Sequence, residues 1–132
     1  MKAGSGIVTV CCAWFVIVGV VPLQAQPVAT NFALHARATA SSVLESRYSP
    51  SHAVDGLVSD DSRWVSRRET IAKWLELDLG QPRALRCAHI YSGWEDSAAI
   101  RDFVLEAWQE GQWRAIPGAK VAGNAQQSLA LT

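Results

Sequence analysis

Residues 53–64, AVDGLVSDDSRW, place three carboxylates, two hydroxyls and a glycine in one run that ends on a tryptophan. Oxygen donors at this density suit a hard cation. Ca²⁺ takes about six to eight oxygens from carboxylates, hydroxyls and backbone carbonyls, and an irregular loop with a glycine can wrap around it. The same residues admit a plainer reading, in which Asp55 caps a turn through its own side chain while Asp60 and Asp61 are solvated. A different chemistry sits in LESRY (44–48) and VSRRET (65–70), which between them hold Arg47, Tyr48, Arg67, Arg68 and Glu69. A guanidinium fork binds paired hydroxyls, carboxylates or sulfates, so this set suits a neutral or an anionic sugar, with a solvated charged loop as the alternative. Trp94 lies in the polar turn SGWEDS (92–97), where an indole has no evident packing role and can serve as a stacking platform.

Catalytic signatures are missing from the chain. His35, His52 and His89 are scattered, without the close pairing of a zinc motif, and there is no G-x-S-x-G elbow, phosphate loop or carboxylate pair placed for hydrolysis. An enzyme is not expected. Twelve Lys and Arg balance twelve Asp and Glu, so bulk charge points neither to nucleic acid nor to an anionic membrane.

The elements that must position these residues are strands. Met1-Lys2 and the apolar run over residues 7–21 read as the helix of a signal peptide, with cleavage near Ala25, which leaves residues 26–132 as one domain of an exported protein. Cys11 and Cys12 fall in the leader, so Cys87 remains as a lone thiol in an apolar run, expected to be a small buried hydrophobe. In WLELDLG (74–80), Leu75, Leu77 and Leu79 alternate with Glu76 and Asp78, the period of a strand with one buried face. A second apolar run spans 85–91. A third, 103–108, leads through Gln109-Glu110-Gly111-Gln112 to Trp113 and reads as a hairpin, and Ile116-Pro117-Gly118 is a further turn cue. Short strands, frequent turns and no helical stripe predict an all-β fold, an antiparallel β-sandwich.

Taken in order, the blocks ATASS (38–42), YSPSHAVDG (48–56), SRW (62–64), KWLELDLG (73–80), the 103–113 hairpin and Gly123-Asn124 resemble the coagulation-factor type C, or discoidin, domain, whose bacterial members are family 32 carbohydrate-binding modules. The resemblance covers about residues 31–132. It implies a jelly-roll, galactose-binding-like sandwich that binds ligands through loops at one end, and it implies no catalysis. Asp55, Asp60 and Ser62 match the position of a structural calcium in that family and are its candidate ligands here. The segments 44–48 and 65–70 are implied to reach one end of the sandwich, which makes Arg47, Tyr48, Arg67, Arg68, Glu69 and Trp94 the candidate ligand-binding residues, while Trp64, Trp74 and Trp113 fall at positions that pack the core. Val65 stands where galactose-binding members carry histidine, so galactose specificity does not carry over. The family pattern continues with a further strand beyond residue 132, so the chain is expected to be the N-terminal piece of a longer secreted protein with covalently linked downstream domains. The expected function is tethering to a glycan or glycoprotein, with no nucleic acid. The alternative is a protein or membrane adhesion module, although the loop tips read as too polar for easy lipid insertion apart from Leu44 and Trp94.

Overall fold

The structure, a computed structural model, describes residues 30–68, 72–93 and 99–132. The leader, Glu69 and Trp94 therefore lie outside the described residues. Among the described residues six strands follow in order: β1 (Arg37–Ala40), β2 (Leu75–Asp78), β3 (Ala88–Tyr91), β4 (Phe103–Gln109), β5 (Gln112–Val121) and β6 (Ser128–Leu131). Among the described residues the helical content is two 3₁₀ turns, Ser46–Tyr48 and Pro50–Ala53, and no helix is long and apolar enough to cross a membrane. The fold is all-β with antiparallel pairing throughout, in three two-stranded ladders: β1 with β2, β3 with β6, and β4 with β5.

The leucine alternation sets the faces of the first ladder. Leu77 is 2% exposed and packs with Ala33 and Val54, while Leu75, Leu79 and Ala38 close around them. On the opposite face the register places Arg37 across from Asp78 and Thr39 across from Glu76. Trp74 precedes Leu75 by one residue and so shares the parity of Glu76 and Asp78. It is 51% exposed, and the expectation that it packs the core is corrected by the same alternation that buries the leucines.

A second core cluster, Ala88, Leu105 and Ala119, is flanked by Leu85, Ile90, Phe103, Ile116 and Leu131. The predicted hairpin forms around Glu110 (φ 51°) and Gly111 (φ 83°), the two left-handed positions that match the twist of a tight two-residue turn. Trp113 sits directly across from Trp108, and the rings meet edge to face with centroids 5.3 Å apart. Leu105 takes the buried face of β4, so Trp108 falls on the other side, and Trp113 with it. Trp113 is 40% exposed, which again corrects the expectation of a core residue. The cue at Pro117-Gly118 is not a strand end. Between the pairs Val104↔Lys120 and Glu106↔Ala115, β4 steps from 104 to 106 while β5 steps from 115 to 120, so the extra residues, with Gly118 at φ 77°, form an irregularity inside β5.

Candidate functional site

The acid-rich loop starts from an anchored residue. Ser49 accepts a hydrogen bond from the Ser51 amide and Pro50 opens the 3₁₀ turn, so the chain enters Val54 with its geometry set. Val54 is buried, and its carbonyl accepts from the His35 amide at 2.7 Å. Asp55 then turns the chain. One carboxylate oxygen accepts from the Leu57 amide at 2.8 Å, two residues on, and the other accepts from the Ser62 hydroxyl, which ties the end of the loop to its beginning. Gly56 holds φ at 84°, which favours glycine, whereas a Cβ there would meet only Leu34 Cδ1 at 2.9 Å, the tip of an exposed side chain that can shift. Ser59 accepts from the Ser62 amide at 3.2 Å, and Asp60 accepts from Arg63 Nη1 at 2.9 Å.

Burial raises the pKa of the Asp55 carboxyl, but the Ser62 hydroxyl, the Leu57 amide and the nearby His52 together outweigh it, so the group sits below the usual aspartate value. Of the three candidate calcium ligands, the structure brings Asp55 and Ser62 together and turns Asp60 toward Arg63. Among the described residues no three His, Cys, Asp or Glu side chains gather as a metal cluster. The turn-capping role weighed for Asp55 is present in the geometry.

The loop apex is apolar. Leu57 and Val58 are 64% and 69% exposed, a surface pair that the acidic composition of the run concealed.

Arg63 leads from this loop into the second part of the site. Its guanidinium, besides pairing with Asp60, lies 5.4 Å from the centroid of the Tyr48 ring, and Arg47 lies 4.7 Å from the same centroid. Arg47 also pairs with Glu45 at 3.0 Å, with both side chains mostly exposed. The segments that carry these residues run side by side. The Leu44 amide donates to the Val65 carbonyl at 2.8 Å, the Trp64 indole N–H to the Ser42 carbonyl at 3.0 Å, the Arg67 amide to the Ser42 hydroxyl at 3.2 Å, and Arg67 Nε to the Val43 carbonyl at 3.1 Å. Trp64 is thus half-buried and stitches the two segments together. Arg47, Tyr48 and Arg67 are brought into one rim, and Arg68 follows them, exposed. Arg63 and Ser42 are members that the sequence reading passed over. The Asp60–Arg63 pair is local, but the contact of Arg63 with Tyr48 spans 15 residues and the partners of Ser42 lie 22 to 25 residues away, so no local pattern announces their place in the rim.

The arrangement offers guanidinium groups, a phenol and backbone edges on an exposed rim, which is the chemistry of recognition. A profile of the F5/8 type C domain matches residues 37–131, a span that includes both the acid loop and the arginine rim. No curated protein and no solved structure matches the chain. Modules of this type bind carbohydrates or membranes, are generally non-catalytic, and occur in multidomain extracellular or surface proteins. With the match running through most of its length, the chain belongs to the F5/8 type C, or discoidin, domain family.

Proposed function

We propose that the chain is a secreted carbohydrate-binding module of the jelly-roll, galactose-binding-like type, and that it tethers a larger protein to a glycan or glycoprotein. The observation that supports this reading is the stitched rim of residues 42–48 and 63–68, which leaves Arg47, beside Tyr48, and Arg67 and Arg68 exposed. Hydroxyl pairs of a sugar match the guanidinium forks, and Trp94, close in sequence to the end of β3, supplies the stacking ring. One shallow site of this kind gives micromolar to millimolar affinity, or roughly 4 to 8 kcal/mol. Glycan-array binding by the full chain tests the reading, with Trp94→Ala and Arg47→Ala alongside. Binding that both variants weaken supports it; an array that stays blank for the parent chain contradicts it.

A second reading, adhesion to a membrane or a protein partner, is favoured by one observation, the exposed Leu57-Val58 apex. Liposome pelleting abolished by Val58→Asp, without any glycan signal, would establish it.

The calcium proposal rests on Asp55 and Ser62, whose oxygens converge, while Asp60 has one carboxylate oxygen engaged by Arg63. Bound there, the ion would supply charge to hold the two ends of the loop together. A rise in Tm with millimolar Ca²⁺ that Asp55→Asn removes is the expected result, and an unchanged Tm contradicts it.

A further inference from the structure

From the rim geometry we infer that the glycan bound here is an anionic one, bearing carboxylate or sulfate groups. This rests on the carbohydrate-binding reading and narrows its ligand class. Four arginines, 47, 63, 67 and 68, lie on or beside one short stitched pair of segments; Arg47 and Arg63 are paired with Glu45 and Asp60, which leaves Arg67 and Arg68 as the exposed cations with no ion pair among the described residues. Their roles differ. Arg63 is committed to Asp60 and Tyr48, and Arg47 to Glu45 and Tyr48. Tyr48 therefore has its ring engaged by two cations, which makes it a support for the guanidinium groups rather than an open platform for a pyranose face.

Arg67 is held differently. Its amide and its Nε are fixed by Ser42 and Val43, so the guanidinium is oriented by backbone while its Nη edge takes no hydrogen bond among the described residues. Arg68 is exposed and has no ion pair among the described residues. A guanidinium whose Nε is tethered to a carbonyl and whose outer N–H groups face solvent is pre-organised for a two-oxygen acceptor, and a carboxylate or sulfate provides one with full charge. Neutral hydroxyls can accept the same hydrogen bonds but without the charge assistance.

Affinity electrophoresis of the full chain in gels containing polygalacturonate, chondroitin sulfate or neutral galactan is the test, with phosphatidylserine vesicles as a separate arm. The expected result is retardation by at least one of the two acidic polymers and not by galactan, a loss of retardation as salt rises, and a more than about tenfold weaker interaction for Arg67→Ala/Arg68→Ala, as expected for loss of charged hydrogen bonds. The melting profile of each variant, matching that of the parent chain, separates a binding defect from a folding one. Retardation by galactan alone, or equal retardation by all three polymers, overturns the anionic assignment while leaving a carbohydrate-binding module. Vesicle binding with no polymer retarded overturns both.

Discussion

The acid loop and the arginine rim adjoin at Arg63 but are held together in opposite ways. The side-chain bonds of the loop's acids and serines are local: Asp55 to Leu57 and Ser62, Ser59 to Ser62, Asp60 to Arg63, none of these spanning more than seven residues. In the rim the bonds from Trp64 and Arg67 reach back 22 to 25 residues to Ser42 and Val43. Within the loop Asp55 and Asp60 are partnered by the chain itself, while Asp61 is exposed. The rim spends its bonds on backbone and leaves guanidinium edges outward. An acid-rich run can thus be structural, while the basic segments beside it keep exposed guanidinium groups.

The comparison breaks most readily at Asp55. Asp55→Ala removes the acceptor of two hydrogen bonds and leaves the Leu57 amide and the Ser62 hydroxyl without it, so stability should fall by about 1–3 kcal/mol in denaturant titration. A loss below a few tenths would mean that the loop does not depend on its internal bonds. Gly56→Ala should cost about 1–2 kcal/mol through the left-handed backbone alone. The rim should respond at Trp64→Phe, which strips the indole N–H from the Ser42 carbonyl, with about 0.5–1.5 kcal/mol of stability lost and glycan binding weakened in parallel. Arg47→Ala, an exposed pair with Glu45, should change stability by no more than about 0.5 kcal/mol while reducing glycan binding.

Acid sharpens the contrast. The folded-state pKa of Asp55 is depressed, so its contribution is present above the unfolded-state value of about 3.9 and is lost as pH falls through the folded one. Stability measured from pH 6 down to pH 2 should therefore fall less steeply at the acid end in Asp55→Asn than in the parent chain, and identical slopes would count against the assignment.

The strands were legible where one rule governs both local and global structure. Period-two leucines gave β2 and its buried face, and Glu110-Gly111 gave the β4–β5 turn. Trp74 and Trp113 were misplaced in the core because tryptophan's size outweighed a parity that was already readable. Cys87 is half-buried rather than the buried hydrophobe expected. Of the site, the turn-capping capacity of Asp55 was visible because its partners are near in sequence. The stitching by Ser42 and Trp64 was not, since no local pattern records a bond across more than twenty residues. The apex pair Leu57-Val58 was hidden for another reason: two apolar residues in an acidic run read as background until their exposure is known.

The most direct test follows backbone amide signals by NMR while an acidic oligosaccharide is titrated into the full chain. The account predicts that the perturbed amides cluster in residues 42–48 and 63–68, with those of β4 and β5 unmoved. Perturbation centred on the Trp108–Trp113 hairpin, with the arginine rim silent, would contradict it.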